Sequence, residues 1–362
     1  MTTSVNPAAL PLLDPQRFGG ELDGQSVALY TLRNASGMVV SVSNYGAKIQ
    51  QILVPDRHGK LDDVVLGYDS LDAAVNGAPS VGAFIGRYAG RIGNATFELG
   101  GKRHQLTVNN GPHCLHGGVR GSRFRVFDAL QNSPSSVVMS YVFADGEEGF
   151  PGSLALRLTY SLLETNELVL DYEAVALDCP TVASFTTHAF FNLNGAASGS
   201  ILGHQVQIPS SHYLACTPEL VATGEISNVQ GTPFDLRQAA VLGTRIPELL
   251  PGYDDCYVVD RSGYDGNASG MAMCARVRSL QSGRSMEVWS TEPTLQFFTG
   301  LKPLEALAGG LGKGGQRYFQ QHGFCLEPQG YPNAPNVPGF PSAVYLPGQI
   351  RRGRTSYRFN AS

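Results

Sequence analysis

Short runs of β-favouring residues recur along nearly the whole of this 362-residue chain, and that rhythm constrains its fold more than any other feature. Residues 27–32, 38–42, 48–54, 96–99, 103–108, 137–143, 154–160, 168–175 and 286–291 are such runs. Between them stand breaks such as Asn34, Gly37, Tyr45-Gly46, Glu164-Thr165-Asn166-Glu167 and Ser282-Gly283-Arg284. Strand-forming stretches joined by tight turns describe antiparallel hairpins. The 43 glycines and 22 prolines are scattered rather than massed, which suits many turns. Helical periodicity is weak, and short helical turns are expected near 70–74 and 301–309. No repeat, low-complexity tract or charge run divides the chain. The expected class is therefore all-β: one large antiparallel β-sandwich over 26–362, preceded by an irregular arm over 1–25 that carries Pro7, Pro11 and Pro15.

A hydrophobic fraction of 42% with 15% charged residues permits a large core and argues against disorder. The formal charge of -4 offers no basic footprint for nucleic acid or an anionic membrane, so a small neutral ligand is the better partner. Met1 to Asn6 has no charged region leading into an apolar one, and no later stretch reaches the apolar length of a bilayer span. A soluble cytoplasmic protein is expected. Six cysteines lie far apart with no C-x-x-C pair, as small buried hydrophobes would. His113-Cys114-x-His116 looks like half a metal site, but no second cluster completes it, so no metal is expected.

Five segments are richer in polar residues than a core requires: Gly86-Arg87-Tyr88-Ala89-Gly90-Arg91-Ile92, Cys114-Leu115-His116-Gly117-Gly118, Thr186-Thr187-His188-Ala189-Phe190-Phe191-Asn192-Leu193, Gly252-Tyr253-Asp254-Asp255 and Phe324-Cys325-Leu326-Glu327-Pro328-Gln329. Candidate residues in them, and Gln296 outside them, have ordinary readings too. His188 can be a structural histidine, Glu327 a strand-end carboxylate, Asp254 a turn cap, Arg91 a surface charge and Gln296 an outward strand residue.

Taken in order, these segments resemble the aldose 1-epimerase (galactose mutarotase) family. Asn44-Tyr45-Gly46-Ala47, Asp145 to Gly152, Gly231-Thr232-Pro233-Phe234-Asp235, Gln296-Phe297-Phe298-Thr299-Gly300 and Phe340-Pro341-Ser342 extend the resemblance over about residues 20 to 360. It implies a supersandwich of the galactose mutarotase type, a monosaccharide partner, a monomer or homodimer, and interconversion of α and β anomers. That reaction needs one acid at the ring oxygen and one base at the anomeric hydroxyl, with no metal or organic cofactor. By resemblance His188 is the acid and Glu327 the base. Arg91, His116, Asp254 and Gln296 align with sugar-contacting positions, while Arg87 aligns as a structural residue.

Four positions depart from the pattern: Gly90, Thr187, Asp255 and Leu301 stand where asparagine, asparagine, histidine and asparagine are common. Gly90 removes a polar side chain beside the substrate arginine, so the preferred aldose need not be galactose. Three other readings stay open on sequence: a glycoside hydrolase using Asp254 and Glu327, a relative acting on hexose 6-phosphates, and a sugar-binding module without turnover.

Overall fold

The computed structural model describes residues 12–261, 270–301 and 311–362. Its architecture is a β-sandwich built on a nine-stranded antiparallel sheet. The strand order is Asp128–Ser133, Ser136–Phe143, Leu154–Leu163, Glu167–Ala176, Ile350–Ala361, Arg284–Ser290, Ala272–Ser279, His204–Gln207 and Ala240–Val241. The expected hairpins are present. Glu164 to Asn166 turns between two ten-residue strands, and Ser282-Gly283 turns between Ala272–Ser279 and Arg284–Ser290.

Two smaller antiparallel sheets pack on its inner face. One has the order Leu29–Arg33, Val39–Ser43, Lys48–Pro55, Leu61–Asp63, and the other Ala222–Asn228, His212–Cys216, Asp254–Val258, Thr294–Phe298, Cys325–Gln329. A single apolar cluster joins all three sheets, with Val40, Ile49 and Ile52 from the first, Tyr257, Leu295, Phe297 and Leu326 from the second, and Leu158, Leu170, Val288 and Tyr357 from the large sheet. Burial of this apolar surface is the main drive to fold, at roughly 25 cal/mol per Å² removed from water.

The five-stranded sheet carries the chemistry because of its two-residue period. Tyr257, Leu295, Phe297 and Leu326 point into the core, so Cys256, Gln296 and Glu327, which lie opposite one another in register, point to the other face. Asp254, two residues before Cys256, shares that face. Pro328 has no N–H to donate, and it is accommodated because Cys325–Gln329 is the edge strand.

Ser70 caps the helix Leu71–Asn76 by accepting the Ala73 N–H at 3.2 Å, matching the helical turn expected near 70–74. The turn expected at 301–309 falls almost wholly outside the described residues. Of the irregular arm over 1–25, the described part forms a 3-10 turn at Pro15–Phe18, with Phe18 fully buried, then a hairpin of Gly20–Leu22 with Gln25–Val27. Among the described residues no helix is long and apolar enough to cross a membrane.

Candidate active site

The segment Thr186 to Phe191 crosses beside the edge strand Cys325–Gln329 and delivers His188 to its polar face. Phe191 and Phe324 exchange both backbone hydrogen bonds, at 2.7 and 3.0 Å, which fixes this crossing. His188 itself donates its N–H to Ala83 O at 2.8 Å and accepts from Gly82 N at 3.0 Å. Gly82 is required there, since its φ is +73° and any Cβ would collide with the carbonyl of Ile49.

So held, His188 faces the strand with both ring nitrogens. Nε2 lies 3.7 Å from Glu327 Oε1, and Nδ1 lies 3.3 Å from Cys325 Sγ. Cys325 and Glu327 are two apart on one strand and therefore share a face. Phe190 stacks on the imidazole at 5.0 Å, and Phe298 and His116 meet it edge-on at 6.2 and 5.4 Å. This aromatic wall keeps water from the pair. His188 is 8% exposed and Glu327 2%, and Glu327 Oε2 is a buried oxygen with no hydrogen-bond partner in the protein. A buried polar atom left unpaired costs about 1–3 kcal/mol, so its retention needs a reason beyond stability.

Burial pushes both groups toward their uncharged forms. His188 is lowered to about 4, mainly by burial with a smaller push from Arg123. The Glu327 carboxyl is raised well above its usual range by burial and then by the charge of Asp254. Burial thus works against an ion pair across the 3.7 Å contact.

The remaining predicted residues form a half-exposed rim. Gln296 Nε2 donates to Asp254 Oδ1 at 2.8 Å; burial raises the Asp254 carboxyl, while Arg91 and Gln296 oppose the rise. Arg91 Nε donates to Asn110 Oδ1 at 2.9 Å. His116 and Gly90 are joined twice: His116 N donates to Gly90 O at 3.1 Å, and Gly90 N donates to His116 Nδ1 at 3.3 Å. A neutral His116 therefore carries its ring proton on Nε2, and burial lowers it well below the usual histidine value, with the charge of His188 next. All six predicted residues belong to one cluster of close contacts and mutual charge effects.

Several sequence readings change. Asp254 opens the strand Asp254–Val258 rather than capping a turn. Glu327 lies inside a strand and is buried, not at a wet strand end. Gly117 and Gly118 are needed for the turn itself: a side chain there would meet Gly86 O and the carboxylate of Glu148, at φ +78° and +99°. Glu148 clamps this loop by accepting the N–H groups of Val119 and Arg120 at 2.8 and 3.0 Å. Asn44, in another matching stretch, is structural, bonding Ala28, Ser26 and Phe127. Arg87 behaves as expected, buried against Pro151 O and Thr181. His113 accepts Asn94 N–H at 3.0 Å, so one nitrogen of the suspected half metal site serves the backbone.

Two neighbours were not singled out in the sequence. Cys325 is detectable from its i, i+2 relation to Glu327. Arg123 is 7% exposed, donates to Gly118 O at 3.1 Å, and disfavours charge on both site histidines; its three-residue 3-10 turn gives no signal in sequence. Among the described residues, His188, Cys325 and Glu327 are the group whose donor atoms come together closely enough to hold a metal ion.

The family model described as aldose 1-epimerase matches residues 28–358. Pig galactose mutarotase is 40% identical over 329 residues, covering 89% of this chain and 91% of its own length. Aldose 1-epimerase of Escherichia coli is 31% identical over 346 residues, covering 94% and 97%. The crystal structure of an aldose epimerase homologue from C. elegans superposes with a TM-score of 0.84 at 27% identity, over 92% of this chain and 99% of that one. With a family match over most of its length and relatives of this identity, the chain belongs to the aldose 1-epimerase family.

Proposed function

We propose that this protein interconverts the α and β anomers of a free aldose by acid–base ring opening, with His188 as acid to the ring oxygen and Glu327 as base at the anomeric hydroxyl. The observation that carries the assignment is the buried approach of His188 Nε2 to Glu327 Oε1 at 3.7 Å, with Glu327 Oε2 lacking any hydrogen-bond partner in the protein. A neutral carboxyl–imidazole pair and a carboxylate–imidazolium pair hold the same number of protons and differ only in where one sits. Burial favours the neutral arrangement while the site is empty. A bound sugar, whose hydroxyls hydrogen-bond the carboxylate and whose ring oxygen accepts from the imidazolium, favours the charged one. Ring opening then moves the proton of the anomeric hydroxyl to Glu327 and a proton from His188 to the ring oxygen, as the bond from C1 to the ring oxygen breaks and C1 becomes a carbonyl. Rotation about C1–C2 and the reverse transfers give the other anomer and restore both groups.

The rim supplies recognition. Asp254, oriented by Gln296, accepts from sugar hydroxyls, and Arg91, oriented by Asn110, steadies negative charge on the opening ring. His116, with its proton on Nε2, donates a further hydrogen bond. These are neutral-sugar contacts, and galactose is the first substrate to try because the mutarotases at 40% identity bear its name. The hydrolase reading has less support, because the closest partner of Glu327 is an imidazole rather than a second carboxylate. The proposal extends to a cytoplasmic monomer or homodimer; the six free cysteines suit a reducing compartment.

Polarimetry tests the reaction. Freshly dissolved α-D-galactose or α-D-glucose should reach its unchanged final rotation faster in proportion to added protein. No acceleration with free sugars, but acceleration with glucose 6-phosphate, would move the assignment to phosphosugars.

A further inference from the structure

His188, Cys325 and Glu327 offer a nitrogen, a sulfur and an oxygen donor that all lie within 4.8 Å of one another. We propose that this trio is also a binding site for a soft divalent cation of the zinc type, and that the cation inhibits the enzyme by occupying the acid and the base together. The binding claim rests on geometry alone; the inhibition rests on the function proposed above.

Zinc bonds of about 2.0–2.3 Å to N, O and S at tetrahedral angles place neighbouring ligand atoms about 3.3–3.8 Å apart. Here one donor atom from each side chain lies within 4.8 Å of the other two; because Sγ approaches Nδ1 at 3.3 Å and Oε1 approaches Nε2 at 3.7 Å, the imidazole must turn to present one nitrogen to an ion shared by both partners. Cys325 and Glu327 project from one face of a single edge strand, which holds two ligands at fixed spacing without a loop. Glu327 Oε2 is buried and lacks a partner, an independent sign that this pocket is built to receive something. Three protein ligands leave a fourth position for water, the arrangement of an open rather than a structural zinc site. Binding replaces the thiol and carboxyl protons by the metal, so two protons leave for solvent while the imidazole binds as the neutral base.

Cobalt(II) reports the ligand set directly. The full-length protein titrated with Co²⁺ alone should develop a near-ultraviolet thiolate-to-metal band that Zn²⁺ abolishes. Cys325→Ser should lose the band, and Cys216→Ser, which removes an exposed cysteine, should keep it. Glu327→Gln should keep the band but weaken Zn²⁺ at least about tenfold, which covers the case of a poorly folding Cys325→Ser. In polarimetry Zn²⁺ should stop anomer exchange over the concentration range in which it abolishes the band, with recovery on adding EDTA. Absence of the band in wild type, or its survival in Cys325→Ser, would overturn the site; a band with undiminished exchange would overturn the inhibition. Should the protein not exchange anomers at all, the absorption still decides the metal site while the functional reading fails separately.

Discussion

The outer face of the nine-stranded sheet and the polar face of the edge strand treat charge in opposite ways. On the outer face, opposite charges sit directly across from one another in register: Asp171 with Arg354 at 2.6 Å, Glu173 with Arg352 at 2.6 Å, and Arg276 with Glu287 at 2.6 Å. These pairs are largely solvated and each is worth well under about 1 kcal/mol. At the site, Glu327 faces Gln296 across the ladder, and its titratable neighbours are His188 and Cys325, both pushed by burial toward their uncharged forms, and the carboxyl of Asp254. Paired charge on the surface supports solubility and register. Unpaired titratable groups under a hydrophobic wall lower stability, and such groups persist where chemistry uses them.

The comparison breaks first at Glu327. Glu327→Gln removes the base while keeping the shape, and the anomer-exchange rate should fall by about 10²–10⁴-fold with sugar binding still measurable. His188→Asn should fall by a similar factor. A rate within twofold of wild type in either variant would return that residue to a structural role.

Next in size is Lys48, a second buried charge that the reaction does not use. It is fully buried, and its nitrogen contacts the Ala74 carbonyl at 3.4 Å and the Tyr45 ring at 4.1 Å, neither of them a carboxylate. Burial lowers it to about 7, with Arg123 adding to the effect. Because the folded value lies below the unfolded one, the penalty is full below about pH 7, shrinks as pH rises toward 10.5, and vanishes above it. Lys48→Met should therefore stabilise the protein at pH 7 by on the order of 3 kcal/mol, with less gain at pH 9.5. Denaturant unfolding at the two pH values checks this, and an equal gain at both would mean the lysine is not perturbed.

Much of this contrast was legible before the fold was known. The long hairpins could be read from runs such as 154–160 and 168–175, because alternation and turn residues are local signals. Asp254–Val258 and Cys325–Gln329 were missed as strands: one opens with two aspartates and the other contains Pro328, so neither has strand composition. The six candidate residues are proposed from the family resemblance rather than from any local pattern. Their closeness was not legible, since it depends on register between strands separated by tens to hundreds of residues, and no local pattern encodes that. The need for glycine at 117 and 118 has the same origin, as the atoms that exclude side chains there come from Gly86 and Glu148.

A smaller effect concerns pH. A solvated histidine would change the rate near pH 6.5. With His188 lowered to about 4 by burial, and the Glu327 carboxyl raised by burial, the histidine contributes no step near 6.5. Activity should instead fall as a second proton is added to the pair near pH 4. Rates extrapolated to zero buffer concentration would show this, and a step near 6.5 would contradict it. Smallest of all, Arg354→Ala on the outer face should change stability by no more than about 0.5 kcal/mol and leave the rate unchanged.

The central claim is that the buried His188–Glu327 pair exchanges anomers, and magnetisation exchange between the α and β anomeric protons of galactose at equilibrium tests it most directly. The account predicts exchange cross-peaks that grow with wild-type protein and vanish with Glu327→Gln at equal concentration. Equal cross-peaks with both proteins would contradict it.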